Sequence, residues 1–323
     1  MSNREIVAEN LVRQFGNFTA VNGVSFKVKS GEIFGFLGPN GAGKSTTVAM
    51  LTTLILPTTG RATVGGFDVT SQAGDVRRIA GVALQEIGLD PLMKSMELLT
   101  MQAQFFGASR KEATSRAKEL LELVKLSEFT ARPVGKYSGG MRRRLDLAMA
   151  LAHEPEVLFL DEPTTGLDPA SRRDIWHEVR RLNRDHGMTI FLTTQYLEEA
   201  DLLADRIAII DKGIIQAEGT PADLKAGLGG ESINVSFRDA ELAVKAAEAV
   251  RDMVTKVQID RRTVRLYLAG AAQAVPGVIN RLGTQGLEPI SLTLSQPTLD
   301  DVFLQVTGQR FEAEPTEDEA LPA

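Results

Sequence analysis

Residues Gly38-Pro39-Asn40-Gly41-Ala42-Gly43-Lys44-Ser45-Thr46 fill the template G-x-x-x-x-G-K-[ST] without a gap. The context is as demanding as the motif. Glu32-Ile33-Phe34-Gly35-Phe36-Leu37 reads as a short buried strand, and Thr46-Thr47-Val48-Ala49-Met50-Leu51 reads as a helix. Glycines let the backbone curl so that successive N–H groups point at phosphate oxygens, and the helix start adds its positive dipole end. Lys44 supplies a point charge for the β- and γ-phosphates, and the Ser45 hydroxyl is placed to ligate Mg²⁺. An ordinary glycine-rich turn would explain the glycines but not this strand–loop–helix frame. Gly38, Asn40, Gly41, Ala42, Gly43, Lys44, Ser45 and Thr46 are therefore the first binding candidates, for a nucleoside triphosphate.

The rest of the first 220 residues suits an α/β fold. Val157-Leu158-Phe159-Leu160, Thr189-Ile190-Phe191-Leu192-Thr193 and Ile207-Ala208-Ile209-Ile210 are continuous apolar runs ended by polar residues. Such runs fit strands buried on both faces of a mainly parallel sheet. Between about 92 and 152 the pattern turns helical, with Ala117, Leu120, Leu121 and Val124 at helix spacing, which predicts a helical subdomain inserted in the α/β core.

Gly227-Leu228-Gly229-Gly230 reads as a linker, giving a first domain over 1–226 and a second over 229–308. The second carries the order β-α-β-β-α-β, the split βαβ, ferredoxin-like pattern: strands at 233–237, 257–259, 264–268 and 290–294, helices at 240–254 and 275–285. Residues 309–323, acidic and carrying two prolines, read as a disordered tail.

Composition closes off several function classes. A net charge of −6 gives no footing for nucleic acid, and the absence of cysteine removes disulfides and thiolate metal sites. No apolar run is long enough to span a bilayer, and the N-terminus lacks the apolar stretch of a signal peptide, so the chain reads as cytoplasmic.

A second constellation follows the loop. The strand Val157–Leu160 ends in Asp161-Glu162; the first carboxylate can hold Mg²⁺, and the second can polarise an attacking water as general base. Ser138-Gly139-Gly140-Met141 opens a helix with a capping hydroxyl and exposed amides, which is either another anion site or a simple helix cap. The triplet Arg142-Arg143-Arg144 beyond it reads as a solvated helix face.

In this order the motifs resemble those of the ATP-binding subunits of ABC transporters, over roughly residues 5–220: Gly38–Thr46, Gln85, Tyr137–Met141, Leu158–Glu162 and Gly166-Leu167-Asp168. The resemblance implies a P-loop NTPase cassette that hydrolyses ATP with Mg²⁺, works as a homodimer, and sits on the inner face of the membrane through a separate membrane-spanning permease. It implies that Gln85 senses Mg²⁺ and the γ-phosphate, and that Ser138, Gly139 and Gly140 of one copy close over ATP held by the other, with Asp168 across the interface. Phe15 falls where the family stacks an aromatic ring on adenine, with Phe18 as its competitor. The runs Gln195–Asp201 and Gln296–Leu304 look like the daunorubicin-resistance branch of exporters.

Two residues depart from the family pattern. Met141 replaces the usual glutamine, beside the serine and glycine that make the contacts. Gln195 replaces the histidine that contacts the γ-phosphate; an amide donates a hydrogen bond but cannot become a cation. The leading expectation is an ATPase that energises an exporter of drug, antibiotic or lipid-like substrates. The alternatives are an ATP-binding switch with very slow hydrolysis and the ATPase of an importer.

Overall fold

The apolar runs become a parallel sheet buried on both faces. The computed structural model describes residues 4–228, 231–268 and 270–308. The chain divides between Glu218 and Gly219 into two units, each with its own core. The first unit runs, in chain order, β1 (Ile6–Phe15), β2 (Phe18–Val28), β3 (Ile33–Leu37), α1 (Lys44–Leu51), β4 (Thr59–Val64), β5 (Phe67–Asp68), α2 (Ala73–Ile79), β6 (Ala80–Ala83), α3 (Ser95–Phe105) and α4 (Arg110–Leu123). It continues through α5 (Gly139–Ala150), β7 (Val157–Asp161), α6 (Pro169–His186), β8 (Thr189–Thr194), α7 (Leu197–Leu203), β9 (Arg206–Asp211) and β10 (Ile214–Gly219).

Six strands form the sheet β10-β9-β3-β8-β7-β6, and β9, β3, β8, β7 and β6 pair in parallel. Alternation along each strand divides two cores. Ile33, Leu158, Leu160, Ile190 and Leu192 point to a core shared with the helices α3 to α6. Phe34, Phe36, Phe159 and Phe191 point the other way, toward Phe26 of β2, with ring centroids 5.4 to 5.8 Å apart. That second core is covered by a four-stranded sheet, β2-β1-β4-β5, which the sequence reading did not foresee. The expected helical insertion is α3, α4 and α5, with Ala117, Leu120, Leu121 and Val124 all buried.

The second unit contains α8 (Pro221–Ala226), β11 (Glu231–Ser236), α9 (Ala240–Ala249), β12 (Lys256–Asp260), β13 (Thr263–Leu268), α10 (Ala271–Thr284), β14 (Ser291–Ser295) and α11 (Leu299–Thr307). Its sheet order is β12-β13-β11-β14 with every neighbouring pair antiparallel, so two βαβ passes interleave as the β-α-β-β-α-β order requires. Ile233, Val235, Val264 and Leu266 pack against Ala243, Ala246, Val278 and Leu282. The other ends are tied by α11, which packs on α8 and forms the ion pair Arg265–Asp301. This is why the division falls at Gly219 rather than in the expected glycine linker: α8 belongs with α11. Gly229, Gly230 and the acidic segment 309–323 lie outside the described residues.

Candidate nucleotide site

The carboxyl ends of three adjacent strands converge. In the order β3-β8-β7 they deliver Gly38, Gln195 and Glu162 to one edge of the sheet, where open α/β sheets bind ligands. The loop between β3 and α1 is fixed by its glycines. A Cβ on Gly38 would stand 2.3 Å from the Ile210 carbonyl oxygen, and one on Gly43 would stand 2.5 Å from that of Ala20. Gly41 and Gly43 also take the left-handed backbone, with φ of 79° and 105°.

Asn40, Gly41, Gly43, Lys44, Ser45, Thr46, Gln85 and Glu162 line one cavity of about 310 Å³, together with Phe18 and Ala20. The expected phosphate loop, glutamine and base thus meet in one place. Lys44 is buried; its Nζ donates to the carbonyls of Gly38 (2.8 Å) and Pro39 (3.1 Å) and lies 3.0 Å from Glu162 Oε1. The other Glu162 oxygen accepts from Gln85 Nε2 and Thr165 Oγ1, each at 3.3 Å. Glu162 itself has φ 50°, a left-handed conformation costly for a residue with a Cβ and typical of functional sites. Its N–H donates to the Thr193 carbonyl and hydroxyl oxygens, and the same hydroxyl donates to Asp161 Oδ1.

The remaining expected residues lie outside that cavity lining. Gly38 and Ala42 support the loop from behind, both buried. Asp161 is buried at the tip of β7, and Gln195 is buried just after β8, its amide without a hydrogen bond to the described residues. Phe15 pairs across the strands with Phe18, which walls the phosphate cavity while Phe15 lies outside its lining, and the Arg13 guanidinium lies 4.4 Å from the Phe15 ring centre.

Ser138 caps α5, accepting from the Met141 N–H at 3.2 Å, and Ser138 and Gly139 are exposed. Gly140 is buried against α6, where a Cβ would stand 2.6 Å from Ser171 Oγ. Asp168 caps α6; hydrogen bonds from the Ser171 hydroxyl, then the Ser171 and Ala170 amides, hold its carboxyl below the usual range. Ser138, Gly139 and Asp168 present a surface separate from the cavity lining.

Sequence reasoning missed Arg143. It is not part of a solvated face: it is buried, and its guanidinium grips the carbonyls of Leu84, Asp161, Glu162 and Pro163. Helix phase would have revealed this, because Gly140, Leu147 and Ala150 stand three, four and seven residues away and are all buried. Glu199 of α7 was also missed. Burial pushes its carboxyl up, and it accepts from Trp176 Nε1 (2.8 Å) and Thr164 Oγ1 (3.0 Å), joining α7 to α6 and to the segment after Glu162.

Residues 21–165 match the ABC transporter family model, and residues 219–307 match the C-terminal domain of DrrA1-3-like ATP-binding proteins. The chain is 43% identical over 308 residues to the daunorubicin resistance ATP-binding protein DrrA3 of Streptomyces coeruleorubidus, covering 95% of this chain and 97% of the relative. The chain belongs to the ABC transporter ATP-binding proteins. This ABC ATPase is also 37% identical over 306 residues to the linearmycin resistance ATP-binding protein LnrL of Bacillus subtilis, covering 94% of this chain and 98% of that protein. A Nod factor export ATP-binding protein of Rhizobium is 38% identical over 313 residues, covering 97% and 100%. Among solved structures, a dimeric ATP-binding cassette in a post-hydrolysis state bound to ADP and Pi matches 67% of the ABC ATPase and 98% of that chain, with TM-score 0.62 and 26% identity. Among the described residues no helix is long and apolar enough to cross a membrane.

Proposed function

We propose that this ABC ATPase works as a homodimer that energises a separate membrane-spanning exporter of antibiotic-like or lipid-like compounds. One observation carries the dimer: the cavity holds Lys44, Ser45, Gln85 and Glu162, whereas Ser138, Gly139 and Asp168 are exposed outside it. Each copy then has one half of a site and offers the complementary half to its partner. The exporter class rests on the drug-resistance and export relatives, and on a second unit matched by their C-terminal domain.

The chemistry follows from the residues. Backbone amides of the loop and Lys44 hold the β- and γ-phosphates, and Phe15 offers its ring to adenine beyond the phosphate cavity. The donors fit Mg²⁺, a hard cation that takes oxygen: the Ser45 hydroxyl and Gln85 amide oxygen share the cavity, and Asp161 keeps one carboxylate oxygen free of Thr193. When bound, Mg²⁺ neutralises charge on the phosphates. Glu162 takes a proton from water as its oxygen bonds to the γ-phosphorus; the bond to the bridging oxygen breaks, leaving ADP and phosphate. Gln195 donates a neutral hydrogen bond to the γ-phosphate.

A second cavity of about 330 Å³, lined by Leu84, Leu89, Phe106, Met149 and Asp146, opens beside the Gln85 segment, with Leu54 exposed at its rim. An apolar recess of this kind suits the permease, and would hold this chain at the inner face of the membrane.

The test is the oligomeric state of the Glu162→Gln variant. With ATP and Mg²⁺ it should run as a dimer on size-exclusion chromatography, and Ser138→Arg in the same background should return it to a monomer. A variant that binds ATP yet stays monomeric at every concentration would sink the composite site.

A further inference from the structure

Arg143 uses all five of its donors. Nε donates to the Pro163 carbonyl at 2.9 Å, and one terminal nitrogen donates to the carbonyls of Asp161 and Glu162, both at 2.9 Å. The other donates to the Leu84 carbonyl and to Asp146 Oδ2, the latter at 3.2 Å. Three of those acceptors are consecutive carbonyls centred on Glu162, the residue held at φ 50°. A fourth belongs to Leu84, the neighbour of Gln85, whose amide meets Glu162 at 3.3 Å.

Packing alone does not ask for this. A buried guanidinium pays a desolvation cost that an apolar side chain of similar size avoids, so burying one gives no stability by itself. What the planar fork adds is geometry: five fixed directions that one ammonium cannot reproduce. It sits on α5, the helix opened by Ser138-Gly139-Gly140, one turn in from the signature.

We propose that Arg143 is a positioning residue for hydrolysis, which clamps the Glu162 backbone in its left-handed conformation and locks it in register with the Gln85 segment. Its side chain does not line the phosphate cavity, so it acts on the rate through Glu162 and not on nucleotide affinity. The inference rests on the reading of Glu162 as the general base.

The experiment uses full-length protein carrying Arg143→Lys, Arg143→Gln, Asp146→Ala or Glu162→Gln, with kcat, KM, affinity for a fluorescent ATP analogue and thermal melting measured for each. Both Arg143 variants should lose about 10- to 100-fold in kcat, the scale of a small misplacement of a catalytic group. Their KM and analogue affinity should stay within about threefold of the parent, a split that general loosening of the fold does not produce. Asp146→Ala spares the four carbonyl bonds and should fall between the parent and Arg143→Lys. Lysine at the parental kcat would overturn the clamp, because charge alone would suffice. A parallel fall in kcat and nucleotide affinity, or failure of both Arg143 variants to fold, would also overturn it and leave a structural residue. Glu162→Gln separates the two claims. If it hydrolyses ATP at the parental rate, the base reading fails; if it is slow while the Arg143 variants match the parent, only the clamp fails.

Discussion

Lys44 Nζ and Glu162 Oε1 stand 3.0 Å apart, both side chains almost wholly buried, so the cation of the phosphate loop is also the partner of the proposed base. Both ends are further satisfied: Lys44 by two loop carbonyls, Glu162 by Gln85 and Thr165. A γ-phosphate brought to Lys44 competes with Glu162 for one positive charge. Binding and base activation are therefore linked through a single contact.

Removing either partner should have a different signature. Glu162→Gln keeps the shape of the side chain and should preserve ATP binding while lowering turnover by about 10² or more. Lys44→Ala should weaken binding itself, and should also cost about 3 kcal/mol of stability by leaving a buried carboxylate unpaired. Nucleotide titration, steady-state turnover and urea unfolding of the two variants distinguish these outcomes.

The two phenylalanines at the β1–β2 turn should also separate. Stacking on a base is worth about 1 to 3 kcal/mol, so Phe15→Ala should lose roughly ten- to hundredfold in ATP affinity while leaving inorganic triphosphate binding unchanged. Phe18 walls the phosphate cavity, so Phe18→Ala should weaken both ligands to a similar, smaller extent. Competition titrations with the two ligands show which ring takes the base; a Phe15→Ala variant with parental ATP affinity would remove Phe15 from that role.

Much of this site was legible because its signals are local. A phosphate loop needs glycines where a Cβ would strike Ile210 or Ala20, and a strand buried on both faces reads as an unbroken apolar run. What was not legible is what depends on partners distant in sequence. The sheet β2-β1-β4-β5 is assembled by antiparallel pairing, and half-exposed strands such as β4 carry little apolar signal. Three arginines in a row look alike until α5 is set against β7, which buries the middle one on carbonyls about 20 residues away. The domain boundary was misread for the same reason: a glycine run marks flexibility, whereas the division is decided by α8 packing on α11, some 80 residues further on.

That packing gives a prediction about truncation. A chain ending at Glu218 removes the second unit at its own boundary and should still bind nucleotide, since every residue of the cavity lies before it. A chain ending at Lys225 keeps most of α8 without α11 and should be less soluble and no better at binding. Both should lose dimer stability or coupling to the permease. Loss of nucleotide binding by a folded 1–218 fragment would contradict this division of labour.

Asp146 should make stability depend on pH. Burial pushes its carboxyl up to about 6, against the pull of Arg143. An unfolded aspartate titrates near 3.9, so between about pH 4 and 6 the folded protein holds the extra proton. Stability contributed by this group is therefore full at low pH and is lost as pH rises toward the folded pKa. Relative to Asp146→Asn, the parent should lose up to about 3 kcal/mol across that window. Urea unfolding of both proteins at pH 4.5, 5.5 and 7 gives the difference; a constant gap would mean that Asp146 titrates as an ordinary carboxyl.

Gln195 decides whether a cation is needed beside the γ-phosphate. It follows β8, between the strand that leads into the phosphate loop and the strand that ends at Asp161, just before Glu162; the Gly38 N–H donates to the Thr194 carbonyl at 3.4 Å, and the Glu162 N–H donates to that of Thr193 at 3.1 Å. The residue is buried, and its amide has no hydrogen bond to the described residues, so its donor is uncommitted. With no ionisable group it adds no titration of its own, and any limb of the pH–rate curve near neutrality comes from elsewhere. Hydrolysis should persist, because Glu162 still takes the proton and Lys44 still carries charge. Gln195→Ala should slow turnover by about 2- to 10-fold, the kinetic equivalent of one neutral hydrogen bond. Gln195→His should keep activity and add a dependence on pH between about 6 and 7, gaining rate where the imidazole is protonated. Turnover of the three proteins from about pH 5.5 to 8.5 spans that titration on both sides. An alanine variant indistinguishable from the parent would make Gln195 a bystander, and the whole catalytic charge would then rest on the loop, the metal and Glu162.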